Sequence, residues 1–171
     1  VGVLGLAAAV VLFVNAAKRS GLIEVSSATQ LVAPLAQALA ITDRVRWYGE
    51  YPDDDLPRRM ADADFLVLPS VTVEEMFGLV VLEAMAAGRP VITTALPSAV
   101  REVNLPGVTG LEVPLRDVAA LARALETLGR DAGRRAMMGE AGRKRVQEQF
   151  TQTTMAARHI ELYQRVIQSR K

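Results

Sequence analysis

The chain has no cysteine and only one histidine in its 171 residues. The first absence excludes a disulfide framework and a thiolate nucleophile, and the second leaves too few imidazoles for a histidine-built metal site. Charge of one sign is also lacking. Lys and Arg number 20 against 19 Asp and Glu, a formal charge of +1, so no global field points to nucleic acid. No internal repeat, low-complexity linker or second-domain boundary interrupts the sequence. What is present is the composition of a folded protein, half apolar and 23% charged. The length suits one domain with a real core and is short for a two-domain enzyme. Absent cysteine makes the cytoplasm the expected location.

An uncharged stretch opens the chain, "VGVLGLAAAVVLFVNAA", and is closed by Lys18 and Arg19. Two readings fit it. It is a buried strand centred on "VVLFV" and preceded by further apolar residues, or the clipped end of a membrane span or signal core with a basic flank. Residues 1–20 are therefore set apart from a domain covering 21–171. Because the first residue is Val1 and not methionine, the expectation is a fragment, a processed product or an incompletely read gene.

From residue 21 onward, apolar runs alternate with helical patterns. "LIEVS", "RVRWY", "DFLVLPS" and "PVITTA" read as strands, and 29–40, 55–62, 78–88 and 98–104 as helices. This βαβα order predicts a parallel sheet covered by helices on both faces, with ligands bound beyond the carboxyl ends of the strands. After "GVTGLEVP" only helices are predicted, over 117–129, 131–148 and 152–168, with breaks at Gly129 and at Phe150/Thr151.

Within "EEMFGLVVLEAMAAGRP", Glu75 and Glu83 stand eight positions apart. Among eleven glutamates such a spacing means little by itself, and a loop charge beside a helix-surface charge would explain it. The context adds more. "DFLVLPS" ends as a strand, so Glu75 falls on the loop leaving its carboxyl end. A helix opening near Gly78 would aim its first amide groups and positive dipole end into the same crevice. Gly78 permits close backbone approach. Glu83, on the second turn, would reach a vicinal diol such as a ribose. Carboxylate, amide nest and carboxylate match a sugar, a diphosphate and a ribose in that order.

The run resembles the retaining GT-B glycosyltransferases of family 4, the glycosyl transferases group 1 domain, whose hallmark is E-x7-E followed by "EAMAAGRPVI". The likeness extends through "DRVRWYGEYPDDDLPRRMADADFLVLPS", "REVNLPGVTGLEVPLRD" and the Phe150-Thr151 entry to the last helix, about residues 21 to 168. It implies an α/β Rossmann-like donor domain, the C-terminal half of a GT-B fold, with a helical extension. It further implies transfer of a hexose from a UDP-, GDP- or ADP-sugar to an acceptor hydroxyl with retention of configuration. Carried over residue by residue, Glu75 contacts hydroxyls of the transferred sugar as the catalytic-site carboxylate, and Phe77, Gly78 and Leu79 present amides to sugar and diphosphate. Glu83 holds the ribose. Tyr51 and Asp53 stand where relatives line the nucleobase slot, although an exposed tyrosine and an N-capping aspartate explain them equally well. No cofactor and no metal are implied, the nucleotide-sugar being a co-substrate, and the acidic run Asp53-Asp54-Asp55 reads as a helix cap. The implied partners are that donor and an N-terminal acceptor-binding domain, with membrane association only through the first segment or a lipid acceptor.

The chain departs from the family pattern in three places. Asn15 and Ala16 stand where relatives carry the Gly-Arg pair that grips the diphosphate, with only Lys18 or Arg19 to replace the nearby lysine. Ser26, Ser27 and Ala28 replace a glycine-rich turn, and Pro97, Ser98 and Ala99 stand where many relatives have glycines. Two other readings therefore stay open: a non-catalytic nucleotide-binding or interaction module, and a sugar-nucleotide epimerase of the same fold. His159 has no argued role.

Overall fold

A computed structural model describes residues 11–15, 22–26, 29–48, 55–71 and 78–169. Six strands form one sheet: β1 (Val11–Asn15), β2 (Leu22–Ser26), β3 (Val45–Tyr48), β4 (Phe65–Leu68), β5 (Val91–Thr94) and β6 (Gly110–Val113), in the order β3-β2-β1-β4-β5-β6. Seven α-helices accompany them among the described residues: α1 (Thr29–Ala38), α2 (Leu56–Asp62), α3 (Leu79–Ala86), α4 (Val100–Val103), α5 (Val118–Arg130), α6 (Ala132–Gln149) and α7 (Gln152–Gln168). This is a doubly wound α/β layer, as the alternating pattern predicts. The strand order reverses between β1 and β4, which is where such folds open a ligand crevice.

One strand departs from the predicted all-parallel sheet. β2–β3, β4–β5 and β5–β6 are parallel, but β1 runs antiparallel to both β2 and β4. Connection length accounts for it. Only residues 16–21 separate β1 from β2, and a parallel return needs a crossover of about a dozen residues or more, whereas a hairpin does not. Val14 faces Phe65 and Leu12 faces Val67, so Asn15 lies beside the amino end of β4, opposite the crevice.

The core sits on both faces of β4 and β5, whose eight residues are all buried. Side-chain alternation sorts them. Leu66, Leu68 and Val91 pack with Met60, Val81, Ala84, Met85, Val100 and Val103 of α2, α3 and α4. Phe65, Val67 and Ile92 pack on the other face with Ala120, Ala124 and Leu128 of α5 and Met138 of α6. Each large side chain so buried contributes about 1.5–3 kcal/mol. Helix α6 belongs to both clusters, since Val146 packs on the first.

Arginines close the far ends of these helices. Arg89 donates to the carbonyl of Ala61 at the end of α2, Arg143 to Ala87 after α3 at 3.1 Å, Arg145 to Glu102 and Val103 of α4 at 2.6 and 3.1 Å, and Arg135 to Leu128 and Gly129 of α5. Three of the four come from α6. They satisfy last-turn carbonyls that have no partner within the helix and lie against the negative dipole end.

One predicted boundary shifts, and one predicted cap bonds elsewhere. Gly129 lies inside α5, and the break falls at Asp131, whose carboxylate accepts from the Arg134 amide at 2.8 Å and so caps α6. Asp55 stands at the start of α2 without bonding its amides. It binds Arg58 at 2.8 Å and Arg59 at 2.6 Å instead, and these arginines, Arg58 first, hold its carboxyl below the usual range despite some opposing desolvation. The Phe150/Thr151 break stands, with Thr151 accepting from the Thr154 amide.

Candidate functional site

The site begins where β4 ends. Leu68 closes the strand and the chain re-enters helix at Gly78, so α3 starts at the carboxyl edge of the sheet beside the switch point. Gly78 has φ 67° and ψ 53°, a left-handed conformation that a side chain strains. A Cβ there would also meet Val100 Cγ2 at 2.9 Å. Its carbonyl accepts from the amides of Val81 at 2.8 Å and Leu82 at 3.4 Å, and among the described residues no side chain caps the end. Helix geometry leaves the amides of Leu79 and Val80 without an intrahelical acceptor. Leu79 turns its side chain outward, 65% exposed. The end therefore presents backbone and no cap, an arrangement suited to an anionic oxygen.

Glu83 follows five residues later, about 7.5 Å along the axis at 1.5 Å per residue, and is exposed. It lines a cavity of about 780 Å³ between α2 and α3, whose walls include Leu56, Pro57 and Met60 on one side, Ala87 on the other and Arg143 of α6. An apolar cleft of this size with few charged groups at its margin has the form of a small-molecule site.

The structure thus brings together Gly78, Leu79 and Glu83 of the predicted set. Glu75, Phe77, Tyr51 and Asp53 lie outside the described residues, as do Lys18 and Arg19. Sequence reading missed the cavity walls. Leu56 and Met60 carry a faint signal in their four-residue helical spacing, but Arg143 reaches the end of α3 from 56 residues away and carries none. Asn15, expected near the diphosphate, is at the opposite edge of the sheet because β1 is reversed. His159 is exposed on α7, its Nδ1 2.8 Å from the Met155 carbonyl. Among the described residues no helix is long and apolar enough to cross a membrane.

Comparison with known proteins agrees with this fold. Residues 28–145 match the family model described as glycosyl transferases group 1. The chain is similar to D-inositol 3-phosphate glycosyltransferase of Salinispora tropica, 45% identical over 113 residues that cover 64% of this chain and 22% of that protein. It is also similar to phosphatidyl-myo-inositol mannosyltransferase of Mycobacterium leprae, 34% identical over 134 residues, 78% of this chain and 35% of that one. Among solved structures, sucrose-phosphate synthase of Thermosynechococcus elongatus superposes with TM-score 0.71 at 32% identity, covering 82% of this chain and 34% of that chain. HepE of Anabaena, in complex with UDP and glucose, shares the fold with TM-score 0.71 at 24% identity, over 80% of this chain and 36% of its own. The chain spans about a fifth to a third of these proteins' lengths. With the family model matching well over half of its residues, the chain belongs to the glycosyl transferases group 1 family.

Proposed function

We propose that this domain binds the nucleotide-sugar of a retaining hexosyltransferase of family 4, acting from the cytoplasm with an acceptor-binding domain. The observation that carries the reading is the uncapped amino end of α3 at the carboxyl edge of β4, with Glu83 one and a half turns further on beside an apolar cavity. In this reading the α3 amides meet the diphosphate, Glu83 accepts from the ribose hydroxyls, and the nucleoside lies toward Leu56 and Pro57. Glu75 contacts the transferred sugar, with Phe77 beside it, and Tyr51 and Asp53 flank the base. The protein's part at the reacting carbon is positioning and stabilisation of the departing diphosphate. No resident metal or further cofactor is called for. The names of the relatives, which include inositol-phosphate and phosphatidylinositol glycosyltransferases, support a polyol acceptor for the whole protein.

Titration calorimetry with UDP, GDP and ADP tests the donor role. One nucleotide should bind the chain, weakly because two or three charge-assisted hydrogen bonds at about 1.5–3 kcal/mol each barely exceed the cost of association. Glu83→Ala should weaken it by about 1–3 kcal/mol. No binding of any of the three, or an unchanged affinity in the variant, would remove this reading. A non-catalytic nucleotide-binding module is the second reading, favoured by the position of Asn15 away from the crevice. It predicts binding that persists without transfer even when the acceptor domain is supplied.

A further inference from the structure

Beside Gly78 the carboxyl ends of β4 and β5 enclose a small notch that the donor reading leaves unused. It has no room for a water molecule and is lined by Leu68, Thr93, Leu96 and Val100 together with Ser70 and Ser98. The Oγ atoms of Ser70 and Ser98 are both shut off from solvent and have no hydrogen-bond partner. Buried hydroxyls are almost always paired, so two orphans in one notch need an explanation.

Their backbones are held firmly. Thr94 donates its hydroxyl to the Ser70 carbonyl, tying the end of β4 to that of β5. Ser98 is set by two successive three-residue turns, Leu96 N–H to Thr94 O and Ser98 N–H to Leu96 O, both 2.8 Å, and its carbonyl accepts from Arg101. Both residues as a whole are only half-buried. Rotation about χ1 gives each hydroxyl two further staggered wells without moving the backbone. Val100 and Leu68, which line the notch, also lie 2.9 and 3.7 Å from a Cβ built on Gly78, so the notch adjoins the start of α3.

We propose that Ser70 and Ser98 are donor-contacting residues, whose hydroxyls turn outward to hydrogen-bond the oxygen-rich end of the nucleotide-sugar, either a phosphoryl oxygen or a sugar hydroxyl. The proposal rests on the nucleotide-sugar reading and extends it. It also supplies neutral donors to a crevice that receives no cation from β1, since that strand ends at the opposite edge.

The test compares the unaltered chain with Ser70→Ala, Ser98→Ala and the double variant, using whichever of UDP-, GDP- or ADP-glucose the chain binds, together with the corresponding free diphosphate. Each single variant should bind the nucleotide-sugar roughly tenfold more weakly, the effect of one lost hydrogen bond to a charged or polyhydroxy ligand. The melting temperature should stay unchanged or rise, because the substitution removes an unpaired buried hydroxyl. An equal loss for the free diphosphate assigns the contact to phosphate, and a loss for the nucleotide-sugar alone assigns it to the sugar. Unaltered affinity in the double variant would overturn the proposal while leaving the donor reading in place. So would binding and stability falling together, which marks a purely structural role. If the unaltered chain binds none of the ligands, both readings fall.

Discussion

Gly139 of α6 lies directly on the carbonyl of Gly88: a Cβ built on Gly139 would stand 2.0 Å from that oxygen. The obstacle is backbone in the turn between α3 and β5, so it cannot swing aside. Gly139→Ala should force α6 off α3 and cost about 1–3 kcal/mol or more. Urea denaturation of the variant should show a lower midpoint at an unchanged slope.

Gly78→Ala should fail for two separate reasons. The left-handed backbone strains any side chain by about 1–2 kcal/mol, and the new methyl would press on Val100. Both stability and nucleotide affinity should drop. Val100→Ala relieves that contact but gives up core packing of its own, so the double variant should lose less than the sum of the two single losses, with the part due to φ unrecovered.

A buried polar cluster fixes β5 to β6. Asn104 donates to Thr93 Oγ1 at 2.9 Å and to the Leu111 carbonyl at 3.1 Å, and accepts from Thr109 Oγ1 at 2.9 Å. All three side chains are buried. Asn104→Ala should therefore cost about 1–3 kcal/mol for each group left unpaired, and amide hydrogen exchange should quicken along β6 more than along β4.

Asp55 gives a small acid-sensitive contribution. Its carboxyl is held below the ordinary value chiefly by the hydrogen bond from Arg58, with Arg59 adding to it. A lowered folded-state value means the stabilisation is present above the unfolded carboxyl value and disappears as pH falls through the folded one. Stability curves of the unaltered chain and Asp55→Asn should differ at neutral pH and converge in acid. The pair is open to solvent, so the gap should shrink in high salt.

The two glutamates of the motif should fail differently once the acceptor domain is present. Glu83→Ala should weaken free nucleotide and nucleotide-sugar alike. Glu75→Ala should leave nucleoside diphosphate binding nearly unchanged and lower transfer by roughly a hundredfold or more, as a misplaced reacting carbon demands. Single-turnover assays beside binding titrations separate the two.

Much of the layer was legible because its signals are local. Continuous runs such as "DFLVLPS" and "PVITTA" announce strands buried on two faces, and the start of α3 is marked by a glycine that its φ requires. The reversal of β1 was not legible from hydrophobicity, since a five-residue apolar strand reads the same in either direction. Its sense is set by the short link to β2. Gly129 misled because glycine commonly ends helices, yet Asp131 offers the next helix a capping carboxylate and wins the boundary. The cavity wall at Arg143 and the orphan hydroxyls of Ser70 and Ser98 depend on tertiary approach, which no window of sequence encodes.

The arginine contacts at the helix ends have an electrostatic consequence for the opposite edge of the layer. A helix carries roughly half an elementary charge of each sign at its two termini. In α2, α3, α4 and α5 the negative pole is met by a guanidinium, while among the described residues the start of α3 has no side-chain cap. The partial positive charge there is thus left without its internal counterweight, and the domain is polarised along the strands. An anion approaching the crevice meets this standing potential although β1 sends no arginine or lysine to it. Replacing Arg143 with an uncharged residue would weaken that potential from behind, at the carboxyl end of α3 and away from the amides that face the crevice.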